Sequence, residues 1–236
     1  MLKYPLIIYI VSLHVKKKGR VGAKMTDISR KQAERRLKFF AALAKLLATN
    51  MWSEALLGKV EESCAFDKGY NYALFPEGVS QIAVSFESWQ DEQMLSALSK
   101  TEKPAKIREC IARALEIRIM DVVHKNVAIN NSGFFMMPQN ILEGNKAAFR
   151  TCDLIWKYAG DQSADFNYYT KRGLLLSVYK SASAFYFADN SKDHEKTKIF
   201  IKNALDNIVN IASLKSRIKL PKIPKMEDLP ILRLFS

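Results

Sequence analysis

Glycine is sparse in this 236-residue chain, nine in all, and none are spaced as a phosphate-cradling loop requires, so nucleotide chemistry of that kind is excluded. There is no Gly-x-Ser-x-Gly elbow, no His-Glu-x-x-His and no Cys-x-x-Cys. The three histidines, His14, His124 and His194, stand far apart and form no ligand pair; His124 reads as an ordinary exposed or hydrogen-bonded residue. The three cysteines, Cys64, Cys110 and Cys152, match no metal or redox spacing and read as free thiols of a reducing compartment, packed as small apolar side chains. Glu61 and Glu62 are neighbours and point to different sides of a helix, which is wrong for a catalytic dyad. The apolar run Pro5 to Leu13 is far short of the ~20 residues a membrane-spanning helix needs. No catalytic residue, metal ligand or cofactor is assigned, and a non-enzyme is the better reading.

What is present is 48% hydrophobic content, ample for a folded core, and a net charge of +13. The charge lies at the ends. Residues 1–24 hold six basic and no acidic residues, residues 213–236 hold six basic and two acidic, and the body between them is only +3. That distribution argues against nucleic acid as a partner of the folded part and favours tails that touch an anionic surface such as a membrane. Residues 1–24 read either as an upstream extension before a start at Met25 or as a targeting or membrane-touching segment. The tail 216–236 contains Pro221, Pro224 and Pro230 and should be extended, with an apolar tip.

Beyond Met25 the pattern is helical almost throughout. Leu37, Phe40, Ala41, Ala44, Leu47 and Ala48 make one face of a first helix, with Arg30, Lys31, Arg35, Arg36 and Lys38 on its early turns. Ser53 caps a second helix through Glu62, a turn at Ala65 and Phe66 follows, and Asp67 is placed to cap a short third helix through Leu74. The chain breaks at Phe75-Pro76-Glu77-Gly78. These three helices make a helix-turn-helix outline over residues 25–78. Val79 to Leu98 is an amphipathic helix, Ala105 to Val127 reads as one long helix, and Asn130 to Gly133 reads as a turn. Phe134-Phe135-Met136-Met137-Pro138 suits either a deformable apolar pocket or an ordinary core. Gly173 to Ala188 is apolar nearly all round and reads as a buried helix; its small residues Ser177, Ser181, Ala182, Ser183 and Ala184 admit either a neighbouring helix or a ligand.

The densest mixture of aromatic and polar residues is Tyr158 to Arg172. Gly160 suits a helix end and Asp165 suits the cap of the next helix. Phe166, Tyr168, Tyr169, Lys171 and Arg172 then exceed what a connection needs, which points to contact with a partner.

Two resemblances follow from these motifs. Glu61 to Phe75 resembles the second and third helices of TetR-type repressors: Ala65 stands at the turn glycine, Asp67-Lys68-Gly69 matches Ser-Lys-Gly, and Tyr72 and Phe75 match Tyr and Phe. Ala73 and Leu74 replace polar contacts, and Asp67 to Leu74 has no net charge, so DNA reading is not expected. Ala159-Gly160-Asp161-Gln162-Ser163-Ala164-Asp165-Phe166-Asn167-Tyr168-Tyr169-Thr170-Lys171-Arg172, preceded by Trp156 and by Met137-Pro138-Gln139-Asn140, resembles the signature of the coenzyme Q (ubiquinone) biosynthesis accessory family numbered nine in the Coq series. Trp52 and Phe75-Pro76-Glu77-Gly78 fit that family's degenerate TetR-like half, so this second resemblance covers roughly Ile28 to Ala212.

The resemblance implies an all-α fold: a TetR-like helical bundle with a degenerate N-terminal helix-turn-helix and, over residues 79–215, a lipid-binding and dimerisation half. It implies an isoprenoid quinone or other lipid as ligand, a homodimer, and docking to the di-iron demethoxyubiquinone hydroxylase. The docking patch carried over is Ile155, Asp165, Tyr168, Tyr169, Lys171 and Arg172. The lipid site draws on Phe134, Phe135, Met136, Met137, Leu174, Val178 and Phe185. The implied location is the cytoplasmic face of the inner membrane in a bacterium, or its matrix side in a mitochondrion. Tyr168 replaces the family's Trp, reducing contact area, and the short proline-containing tail replaces an amphipathic helix. The alternative function is a TetR-type regulator responding to a lipid.

Overall fold

The computed structural model describes residues 27–162 and 166–217. The expected N-terminal extension, Asp165 and the tail beyond residue 217 lie outside the described residues. Among the described residues all regular structure is helical: α1 (Asp27–Leu46), α2 (Glu54–Ser63), α3 (Tyr70–Leu74), α4 (Val79–Leu98), α5 (Ile107–Glu116), a π turn (Ile117–Asp121), α6 (Lys125–Met136), α7 (Ile141–Ala159), α8 (Phe166–Ala188), a 3-10 turn (Lys192–His194) and α9 (Glu195–Arg217). The fold is an all-α bundle.

The helix-turn-helix outline is built largely as its sequence suggests. The Ser53 hydroxyl accepts the Leu56 N–H at 3.2 Å, capping α2. Ala65 takes a left-handed backbone, φ 52°, at the position that favours glycine. Asp67, expected to cap α3, does not. The cap comes from buried Glu61, whose two oxygens accept Gly69 N–H at 3.0 Å and Asn71 N–H at 2.7 Å. One carboxylate reaching across from the preceding helix satisfies two orphan donors at once. The basic residues of α1 serve the opposite helix ends: Arg36 donates to the Leu74 carbonyl at 2.7 Å and Lys38 to the Cys64 carbonyl at 2.6 Å. Cations on last-turn carbonyls complement the helix dipole.

Two apolar clusters fill the molecule. Phe39, Phe40 and Leu43 of α1, with Leu47 just beyond its end, pack with Leu56, Leu57 and Val60 of α2, with Phe75, and with Ile82 and Phe86 of α4. This α1 face is rotated from the expected one, because Phe39 and Leu43 bury more area than Leu37 and the alanines. Met94 and Leu98 at the far end of α4 join Leu115, Cys152, Ile155, Leu175, Val178 and Ile201 in the second cluster. Helix α4 therefore threads both, and the parts expected over 25–78 and 79–215 share it.

The helix expected over Ala105 to Val127 is interrupted. At the π turn Val122 N–H reaches back five residues to the Ile117 carbonyl at 3.1 Å, and Ile117, Arg118 and Ile119 are buried in succession. This turns Arg118 inward onto α4, where Nε meets Asp91 Oδ1 at 3.0 Å, Nη1 meets Gln90 Oε1 at 2.9 Å and Nη2 meets Glu87 Oε2 at 2.5 Å. A buried guanidinium is tolerated only when paired in this way. His124 then caps α6, its Nδ1 accepting Asn126 N–H at 3.3 Å.

Asn130 to Gly133, expected as a turn, lies inside α6. Asn130 donates to the Leu47 and Asn50 carbonyls at 2.8 and 3.2 Å, and Asn131 accepts from Trp52 Nε1 at 3.1 Å while donating to Glu87. These asparagines fasten α6 to the α1–α2 connection instead of bending the chain.

Candidate functional site

Two features share α7 and α8: a braced aromatic junction between them and a cavity along their sides.

Helix α7 ends at Gly160, φ 98°, where Asp161 N–H bonds to the Trp156 carbonyl at 3.0 Å and Gly160 N–H to the Lys157 carbonyl at 3.1 Å. This is the left-handed termination expected of that glycine. The junction is tied by Arg172, which is 1% exposed and bridges Asp153 Oδ1 at 2.7 Å and Asp161 Oδ2 at 3.0 Å. Its guanidinium carbon lies 3.5 Å from the centre of the Tyr168 ring, and its Nη1 donates to the Tyr168 carbonyl at 3.2 Å. The Tyr168 hydroxyl is hydrogen-bonded to Asp153, and burial followed by that bond pushes its pKa up. Burial alone would raise the Asp153 carboxyl, but hydrogen bonds from Lys157, Arg172 and Tyr168 hold it below the ordinary range. Lys171 binds Asp161 Oδ1 at 2.6 Å and sits 5.5 Å from the Trp156 ring, while Trp156 Nε1 donates to the Lys171 carbonyl at 3.1 Å.

Of the described residues singled out for docking, Tyr169 is the one that stands out from the body, 66% exposed and edge-on to Tyr168 at 5.0 Å between ring centres. Tyr168 is half-buried beside it. Ile155 is not on the surface: it is fully buried in the second cluster, and Arg172 is buried as the brace beneath Tyr168. The sequence placed all of these on one stretch but could not tell the brace from the face it supports.

The cavity, ≈ 360 Å³, opens between α6, α7 and α8. This lies within the roughly 300–1,000 Å³ of small-molecule sites. Phe135, Met136, Ile141, Ala148, Ala184 and Phe187 supply apolar wall, and Glu87, Ser132, Asn145, Tyr179, Lys180 and Ser183 supply polar groups. Gly144 completes the lining, and a Cβ on it would meet Phe135 Cβ at 2.7 Å, so glycine is required for α7 to approach α6 this closely. Of the seven residues expected to hold lipid, Phe135 and Met136 line this cavity. Phe134 packs on Trp52 with ring centres 5.3 Å apart, and Val178 belongs to the second cluster. Met137 is exposed, Leu174 is half-buried, and Phe185 stacks on Phe200 at 4.7 Å away from the cavity.

Helix α8 is consequently not buried all round. Leu175, Val178, Ala182 and Tyr186 face the core while Ser181, Ala184 and Phe185 are exposed, and it is Ser183 and Ala184 that border the space for a ligand. Glu87, Gly144 and Tyr179 escaped the sequence reading as cavity residues. The signal available was the small-residue run of α8, which left two outcomes open.

Residues 141–212 match the COQ9 family model. The similarity to that family lies in this segment. It is 31% identical over 131 residues to the ubiquinone biosynthesis protein coq9 of Dictyostelium discoideum, covering 55% of this chain and 40% of that protein. It is 30% identical over 133 residues to the human mitochondrial ubiquinone biosynthesis protein COQ9, covering 55% and 41%. The Drosophila melanogaster protein of the same name is 24% identical over 217 residues, covering 84% and 65%. The chain thus spans about 40% of the length of the first two relatives. Nine of the thirteen residues lining the cavity, and the braced junction from Ile155 to Arg172, fall inside the matched residues 141–212.

Proposed function

We propose that this chain is a lipid-binding accessory protein of ubiquinone biosynthesis. It holds a polyprenylated quinone intermediate in the cavity between α6, α7 and α8 and presents it to the di-iron demethoxyubiquinone hydroxylase, contributing binding and docking and no bond-making step. The observation that carries this reading is the placing of a largely apolar ≈ 360 Å³ cavity on the same two helices as the residues that match the COQ9 family model. Tyr169, with Tyr168 and Lys171 beside it, forms the hydroxylase contact; Arg172 and Asp153 hold that contact in shape. The bundle is read as TetR-like, working as a homodimer on the surface of the inner membrane, on the matrix side if the source is mitochondrial as the relatives' names indicate.

Co-purification of the hydroxylase with a tagged chain tests the docking half. Wild type should retain it and Tyr169→Lys should lose it at unchanged circular dichroism; equal retention would remove this face from the mechanism.

A lipid-responsive TetR-type regulator is favoured by the helix-turn-helix outline and the left-handed turn at Ala65. Against it, Arg36 and Lys38 serve helix carbonyls and the Tyr72 hydroxyl binds Glu54 at 3.0 Å, which leaves α3 poor in phosphate contacts. A salt-dependent gel shift separates the two readings: tight binding to promoter DNA supports the regulator, and its absence supports the accessory role.

A further inference from the structure

The cavity has polar groups at two places. On its open side Met136 is 75% and Ile141 51% exposed, and the exposed Lys180 donates to Asn145 beside them. Its inner end is polar. There the Glu87 side chain, 13% exposed, is held by Arg118 at 2.5 Å and by Asn131, and Tyr179, which lines the cavity, has its ring centre 5.9 Å from the Arg118 guanidinium. A second void of ≈ 30 Å³ adjoins this end, bordered by Glu87, Arg118, Ser132, Tyr179 and Ser183. That space exceeds the roughly 10–15 Å³ that one water needs, so a small polar group fits there. The Ser183 hydroxyl donates to the Tyr179 carbonyl at 2.8 Å and keeps its acceptor lone pairs, and the Tyr179 hydroxyl makes no hydrogen bond among the described residues. Burial pushes the Tyr179 phenol up, against the opposing effect of Arg118, so it stays a hydrogen-bond donor at neutral pH.

From this inner cluster we infer that the cavity takes its ligand ring-first, with a ring hydroxyl hydrogen-bonded among Glu87, Tyr179 and Ser183 and the isoprenoid tail leaving past Met136 and Ile141. The inference rests on the lipid-binding reading above and adds to it an orientation and a chemical preference, phenolic rings over bare hydrocarbon. A ligand entering tail-first would leave the inner donors and acceptors facing hydrocarbon. Head-first binding gives them a partner, and the Lys180–Asn145 pair on the open side is already satisfied internally.

The test compares a farnesylated phenol with farnesylbenzene, equal in tail and differing in the hydroxyl, by competition in native mass spectrometry of the full chain. Wild type should prefer the phenol by at least about tenfold. Tyr179→Phe should bring that preference to within about twofold with farnesylbenzene affinity unchanged, and Glu87→Gln should move the same way provided its circular dichroism is that of wild type. Equal affinity of wild type for the two probes overturns the inference, as does a Tyr179→Phe variant that keeps the full preference or weakens both probes alike. If neither probe binds wild type, the lipid reading itself fails, which is a different outcome from binding without discrimination.

Discussion

The Arg172 guanidinium covers the face of the Tyr168 ring at 3.5 Å while its two edges bind Asp153 and Asp161. One cation thereby joins the end of α7, the loop after it and the first turns of α8. The aromatic face beyond it is preorganised by this brace, which reduces the ordering cost of binding a partner.

Arg172→Ala should therefore act on stability before it acts on docking. Removing one partner of a buried pair costs about 3–5 kcal/mol, and Asp153 and Asp161 would both lose their guanidinium. Arg172→Lys should recover only part of this, since an ammonium cannot stack and fork together. Tyr169→Ala should change the unfolding free energy by no more than the ~0.5 kcal/mol of an ordinary surface change. Urea titration of the three variants checks the order.

Ala65 pays a steric cost at φ 52° that glycine would not. Ala65→Gly should stabilise the protein by roughly 0.5 kcal/mol, the left-handed relief exceeding the added unfolded-state entropy. A lower denaturation midpoint would mean that the Ala65 methyl contributes packing that outweighs the strain.

All three thiols are buried and free. Burial pushes Cys152 up to about 12 and raises Cys64. The thiolate is the reactive species, so an aromatic disulfide reagent at pH 8 should label none of the three rapidly in the native protein and all three in denaturant. Fast labelling of the native chain at any one site would contradict the packing around it.

Acid should weaken the α8–α9 corner. Hydrogen bonds from Thr197, then Ser191, hold the Asp189 carboxyl well below its ordinary value of 3.8 against the opposing effect of burial. A depressed folded pKa gives a contribution that is present above the unfolded pKa and is lost as pH falls through the folded one. Stability of wild type should thus fall below about pH 4, and Asp189→Asn should be less stable at neutral pH with a shallower acid slope, read by thermal unfolding between pH 2 and 7.

Much of this architecture was legible because it is local. Ser53 caps its own helix, Gly160 ends one, and Val79–Leu98 begins and ends as its pattern indicates. What escaped is set by partners distant in sequence. Arg118 turns inward because Glu87 and Asp91 wait on another helix, and that pairing is what breaks the expected long helix. Glu61 displaces Asp67 as a cap by reaching over a turn. At the candidate site the composition of the docking stretch was visible, but the burial of Ile155 and Arg172 depends on how α7 meets α8. The cavity was legible as the apolar pair Phe135 and Met136 and as a run of small residues; Gly144 and Glu87 join it through contacts that periodicity does not encode.

The central claim is that the cavity between α6, α7 and α8 holds an isoprenoid lipid, and the most direct measurement is mass spectrometry of lipid extracted from the protein purified out of quinone-producing cells. Wild type should yield one isoprenoid lipid per chain. Ser183→Phe, which fills the space from α8, should yield little or none while keeping its fold, and Gly144→Ala, which drives a methyl toward Phe135, should lower the yield. An empty wild-type preparation, or the same lipid carried equally by Ser183→Phe, would contradict the account.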